Sequence, residues 1–174
     1  MIDLIMLATL FDGPRHGYQL KREAGFIFGQ DNLHNNLVYP LLRRFTGEGW
    51  VTKKSLPGQR GQTRQQYAIT PLGRKTLTER LAAFTEQDAR SFEAFILRVG
   101  MFDLLQPPVR ERILNSREGR LRQQAGHLNL LKEKLDLGAY GGEVVGQLSR
   151  RIQSELNWVR RLRRSSKSKQ GVKP

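Results

Sequence analysis

The sequence contains no cysteine. That excludes disulfides, thiolate zinc sites and cysteine nucleophiles, and it suits a reducing cytoplasm without requiring one. Acidic side chains are scarce, 16 Asp and Glu against 30 Lys and Arg, for a formal net charge of +14. Such an imbalance points to a polyanionic partner, most simply nucleic acid, with an anionic membrane surface as the weaker reading. No run of about 18 apolar residues occurs, so no segment is expected to span a bilayer. Histidine is sparse too. His16, His34 and His127 are scattered, with no HExxH or paired-ligand spacing, and no glycine-rich loop sits between a strand and a helix. Acids such as Glu86 and Asp88 read as helix N-terminal charges, not as a catalytic pair. No catalytic residue, metal or cofactor is expected, and the chain is not read as an enzyme. Met1 to Phe11 is apolar apart from Asp3 and lacks both a basic leader and a small-residue cleavage site. No signal peptide is expected, and the compartment is read as the cytoplasm.

What is present is a chain of 174 residues, 38% hydrophobic, enough for one or two domains with real cores. Ile2 to Phe11 predicts a buried first helix that ends at Asp12-Gly13-Pro14. Gly17 to Phe28 predicts a second, amphipathic helix with Leu20, Ala24, Ile27 and Phe28 on its apolar side and Gly29 as its stop. Asn35-Asn36 offers an N-cap for a short third helix, in which Val38, Leu41, Leu42 and Phe45 recur at helical spacing until Gly47 or Gly49. Trp50 to Ser55 and Thr63 to Ile69 read as two strands joined by a Gly/Pro turn, a hairpin. Thr70-Pro71 opens a fourth helix through Leu77, Leu81 and Phe84. Beyond it only helices are expected. One carries Phe92, Phe95, Ile96, Val99 and Phe102, and a long one runs from Pro107-Pro108 to about Asp136. After a turn at Gly138 to Gly142, a last helix carries Val145, Leu148, Ile152, Leu156, Val159 and Leu162.

The order helix, helix, helix, hairpin, helix is the winged helix-turn-helix plan, whose third helix enters the DNA major groove beside a hairpin wing. The fold class is therefore mainly α. A winged helix-turn-helix domain with a two-stranded wing occupies 1–84, a C-terminal antiparallel helical dimerisation domain 85–164, and a disordered basic tail 165–174. At about 100° per residue, Asn36, Pro40, Arg43 and Gly47 lie opposite the apolar set of the third helix, with Tyr39 and Arg44 on its flanks. This face has no acid. Its amide, phenol and guanidinium groups suit base edges and phosphates. Asn36, Tyr39 and Arg43 are the candidates for the groove, and Asn35 and Arg44 for groove or phosphate. Lys53, Lys54, Arg60, Gln62 and Arg64 are the candidates on the wing. Pro40 is tolerated if it falls in or just after the first turn. Arg160 to Pro174 holds seven basic residues and no acid, half of the net charge, and reads either as a frayed terminus or as an arm adding phosphate contacts.

His16-Gly17-Tyr18 after Gly13-Pro14, then Val38-Tyr39-Pro40-Leu41-Leu42-Arg43-Arg44 with Glu48-Gly49-Trp50-Val51, and Tyr67-Ala68-Ile69-Thr70-Pro71-Leu72-Gly73-Arg74 together resemble the PadR family of bacterial transcriptional regulators. The resemblance covers Ile5 to about Leu77 closely and the helical remainder loosely. The chain departs from the family's usual recognition-helix start, where His34-Asn35-Asn36-Leu37 stands. What the resemblance implies is a homodimeric regulator, usually a repressor, whose C-terminal helices build the dimer and whose small ligands release DNA. Phe92, Phe95 and Trp158 are the candidate effector-binding residues. The partners expected are double-stranded operator DNA, a second copy of the chain and a small-molecule effector, with no membrane. A constitutive or architectural nucleic-acid binder without effector response is the competing reading.

Overall fold

The segment Leu4-Ile5-Met6-Leu7 is apolar on every side and is buried on every side, as the core of helix α1 (Ile2–Thr9). The computed structural model describes residues 1–27, 33–57 and 63–168, which fall into two compact units, Met1–Ala83 and Phe84–Pro174.

In the first unit α1 gives way to β1 (Arg15–His16), a strand absent from the sequence reading because two residues are too few to show alternation. It pairs antiparallel with β3 (Thr63–Ile69), Arg15 opposite Tyr67 and His16 opposite Gln66. β3 pairs in turn with β2 (Val51–Pro57), from Val51 opposite Ile69 to Pro57 opposite Thr63. The expected two-stranded wing is thus part of a three-stranded sheet in the order β1-β3-β2. Residues 58–62, the Gly/Pro turn of the hairpin, lie outside the described residues, as do Phe28 and Gly29, the expected end of the second helix.

α2 (Gly17–Ile27) and α3 (Asn35–Gly47) follow the expected pattern, with Leu20, Ala24, Val38, Leu42 and Phe45 buried. The cap of α3 does not. His34 holds the N-cap position with extended backbone, φ −67° and ψ 142°, and its carbonyl accepts from the N–H groups of Leu37 and Val38. Leu33 before the cap and Val38 in the fourth helical position are both buried, the arrangement of a hydrophobic staple, and this apolar pair places the cap one residue before the asparagines, so that the helix begins at Asn35. Pro40 consequently lies in the second turn, not the first. It removes the N–H that would have served the Asn36 carbonyl, a loss borne on the exposed face of the helix.

α4 (Pro71–Ala82) starts as the sequence predicts. The Thr70 hydroxyl accepts from the Gly73 N–H at 3.0 Å, and Pro71 fills the first turn. Leu77 and Leu81 are fully buried and complete a core with Met6, Leu10, Leu20 and Phe45.

The second unit opens with Thr85, whose hydroxyl and Asp88 form a reciprocal capping box for a short helix, α5 (Glu86–Arg90), that the sequence reading does not separate from its neighbour. Ser91 caps α6 (Phe92–Gly100), and a 3-10 turn over Phe102–Leu104 follows. α7 (Pro107–Lys134) begins at the two prolines as expected. The turn expected at Gly138 to Gly142 is instead confined to residues 135–137. There the Asp136 carboxylate accepts from the Gly138 N–H at 3.1 Å and closes the turn early, so that α8 (Gly138–Ser168) includes all the glycines. α8 also runs past Ser165, where the sequence reading begins a disordered tail; residues 169–174 lie outside the described residues.

α7 and α8 run antiparallel around an ion pair. The Arg117 guanidinium donates to both Glu155 carboxylate oxygens, at 2.6 and 2.9 Å, and to the Ala89 carbonyl at 2.6 Å, tying α5, α7 and α8 together with almost no solvent contact. Arg163, about two turns beyond Glu155 on α8, bridges Glu111 and Glu118 of α7. No helix among the described residues is long and apolar enough to cross a membrane.

Candidate nucleic-acid interface

Because α3 buries Val38, Leu42 and Phe45, its geometry turns Asn36, Tyr39, Pro40, Arg43 and Gly47 outward, and all five are exposed. Asn35 and Arg44 are exposed beside them. Arg43 forms no ion pair among the described residues. Its neighbour Arg44 is held differently, 3.6 Å from the Asp3 carboxylate of α1, which also takes a 2.6 Å bond from Arg80. Burial opposes ionisation of Asp3, yet the Met1 amine, the Leu4 N–H and Arg80 together hold its carboxyl below the ordinary range. Arg80 in turn lies over the Trp50 ring at 4.6 Å. One end of α3 is thereby anchored through its own arginine.

The hairpin brings further cations alongside. Lys53 and Lys54 are exposed on β2, opposite Tyr67 and Gln66, so they lie on the two different faces of the sheet. Arg64 is exposed on β3 opposite Leu56. Arg60 and Gln62, the other wing candidates, lie outside the described residues. Of the DNA candidates, therefore, Asn35, Asn36, Tyr39, Arg43 and Arg44 share one helix, and Lys53, Lys54 and Arg64 share the adjoining hairpin.

Gly17 and Tyr67, to which the sequence reading assigns no role in the site, join these two elements. Gly17, first residue of α2, lies against the Tyr39 and Tyr67 rings; a Cβ there would sit 3.5 Å from the Tyr39 hydroxyl and 3.6 Å from Tyr67 Cε2. The Tyr67 phenol is pushed above its ordinary pKa, first by burial and then by Tyr39, with Arg43 acting in the opposite sense. Strand alternation identifies the face Tyr67 occupies, but only the pairing of β1 with β3 carries His16 and Gly17 to it.

Phe92, Phe95 and Trp158, the effector candidates, form one aromatic cluster in the second unit. The Trp158 ring lies 6.3 Å from Phe92 and 5.5 Å from Phe95, the latter edge-on. Phe95 is fully buried, whereas Phe92 and Trp158 are partly exposed on a groove of about 610 Å³ that Arg151 and Arg161 also line. No group of three or more His, Asp or Glu side chains is placed to hold a metal among the described residues.

Comparison with known families decides what this arrangement is. Residues 6–79 match the transcriptional regulator PadR-like family. The chain belongs to that family. The PadR-like segment takes in the second half of α1, both of the following helices, the hairpin and most of α4, and two of its residues have a visible structural reason. Gly73 packs so closely on the Trp50 carbonyl that any side chain would displace the backbone, and Thr70 ties the same point by donating to the Gly49 carbonyl at 2.7 Å. No curated protein matches the chain. Among solved structures it is similar to the protein TA0346 of Thermoplasma acidophilum, with 34% identity, 44% of this chain and 72% of that one covered, and a TM-score of 0.41. It is also similar to a PadR family transcription regulator of Clostridium difficile, with 21% identity, 44% and 78% covered, and a TM-score of 0.38. For Bacillus subtilis PadR in complex with operator DNA the figures are 18% identity, 94% and 98% covered, and a TM-score of 0.46.

Proposed function

We propose that this PadR-like chain binds double-stranded DNA in a sequence-specific way and acts in the cytoplasm as a homodimeric repressor released by a small-molecule effector. The observation that carries the reading is the exposed, acid-free face of α3, in which Asn36, Tyr39 and Arg43 stand beside a cationic hairpin. Asn pairs with adenine edges and Arg with guanine edges in the major groove, while hydroxyls, Arg44 and the wing residues Lys53, Lys54, Arg60, Gln62 and Arg64 suit phosphates. One recognition helix reads few base pairs, and a two-fold pair places two such helices about 34 Å apart, one DNA turn. A second copy also accounts for Leu130, Leu131, Leu135, Val144 and Leu148, large apolar side chains left exposed near the turn between α7 and α8. The groove beside Phe92 and Trp158 supports an effector site, with Phe95 buried against the Trp158 ring. The test is equilibrium binding of the purified chain to a duplex selected from random sequence and to a scrambled duplex of equal length. Preference for the selected duplex supports the reading; equal affinity for both replaces it with an architectural binder.

A further inference from the structure

A cavity of about 500 Å³ opens between α2, α3 and β3, lined by His16, Gly17, Tyr18, Gln19, Tyr39 and Tyr67 among others. No Asp or Glu is among its lining residues. Three observations bear on what it takes. Gly17, Tyr18 and Gln19, the first turn of α2, an 11-residue helix, line it, and amides of a first turn have no acceptor within their own helix. The N–H of His16 is already used, donating to the Gln19 side chain at 3.0 Å, which leaves the amides that follow it. Tyr67 is 5% exposed, and its hydroxyl makes no hydrogen bond among the described residues although its ring edge lies against Gly17. The ring is buried but its oxygen is not sealed from solvent, so a ligand entering the cavity can meet an unpartnered donor there. Tyr39 completes the set, its hydroxyl reaching the same glycine from α3. The lining holds donors and no carboxylate, Arg64 lines it as a cation, and Arg43 and Lys53 stand beside Tyr67. An oxyanion with several acceptor oxygens is the ligand such a set satisfies.

We propose that the N-terminus of α2, with the Tyr39 and Tyr67 hydroxyls, forms a socket for one backbone phosphate of the duplex that α3 enters. The proposal rests on the DNA-binding reading and adds to it a fixed point of register. Because Tyr39 lies on α3 and Tyr67 on β3, one phosphate diester held by both would lock the recognition helix and the wing to the same strand. Gly17 is the residue that permits this, since a side chain there would press on the Tyr39 ring, whose Cε1 a Cβ would approach to 3.3 Å.

The experiment uses the full chain and a selected duplex in which each phosphate in turn is replaced by an uncharged methylphosphonate. Wild type should lose roughly tenfold in affinity at one position per half-site, the scale of a charged hydrogen-bonded contact. In Tyr67→Phe, which keeps the ring and removes only the hydroxyl, the loss at that position should shrink while losses elsewhere stay as in wild type. Lys75→Gln should leave the position-specific loss intact, because Lys75 is exposed on α4 in a pair with Glu79 and lines no part of the cavity. If wild type binds the selected duplex but no position shows a Tyr67-dependent loss, the socket is overturned and the DNA-binding reading stands. If wild type binds no duplex, both fail. A second arm adds inorganic phosphate in place of chloride at equal ionic strength; a Tyr67-dependent rise in Tm would assign the cavity to free phosphate and overturn its assignment to DNA.

Discussion

Arg43 and Arg44 are neighbours in sequence and opposites in circumstance. Arg43 points outward with no ion pair among the described residues, whereas Arg44 is drawn to Asp3, so truncating each should have a different effect. Arg43→Ala should cost about 1–3 kcal/mol of DNA binding and relax the preference at one base pair if the guanidinium reads a guanine edge. Binding measured on single-base variants of the selected duplex checks this, and an equal loss on every duplex would reassign Arg43 to a phosphate. Gly73 makes a prediction about folding instead. Gly73→Ala forces a methyl group against the Trp50 carbonyl, and the strain should destabilise the winged unit by at least about 1–3 kcal/mol, the usual cost of overpacking, which thermal unfolding would register as a lowered Tm. The two residues also mark what the sequence discloses. Arg43 follows from helical spacing, because one apolar stripe fixes the opposite face. The need for glycine at 73 depends on a carbonyl more than 20 residues away in the chain, and periodicity carries no trace of it.

At the level of elements, α3, α4 and the hairpin are legible because each has a local signal: an apolar stripe, a Thr-Pro start and two runs of strand formers. β1 and α5 are too short to produce one, and the early start of α8 is set by the Asp136 side chain in the preceding turn. The Arg117–Glu155 pair is equally silent in sequence, since nothing in either helix marks those two charges as buried. Removing one partner leaves the other charge without compensation in the interior. Glu155→Ala should therefore cost about 3–5 kcal/mol, whereas the double replacement Arg117→Met with Glu155→Leu should recover most of that loss in urea unfolding. Glu118 tests the same helix pair through pH. Hydrogen bonds from Arg122 and from Arg163 hold its carboxyl below the ordinary glutamate range, against a smaller opposing effect of burial. A carboxyl whose folded pKa is depressed contributes stability above its unfolded pKa and loses it as the pH falls through the folded value. Stability measured from neutral to acidic pH should thus fall less steeply in Glu118→Gln than in wild type.

For the whole molecule, the excess of 14 positive charges is the property most directly coupled to a polyanion. DNA affinity should fall steeply with salt, by about 0.9 in logarithmic slope for each phosphate neutralised. The end of the chain contributes to that slope if it touches DNA. Removing residues 165–174 deletes Lys167, Lys169 and Lys173, and should lower the slope by up to about three units of contact; an unchanged slope would remove this segment from binding. The most direct test of the account is selection of bound fragments from a pool of random duplex DNA by the purified full-length chain. A homodimer with paired recognition helices should enrich one motif made of two half-sites related by a two-fold axis and centred about one helical turn apart. A bound pool with the same base composition at every position as the input would contradict it.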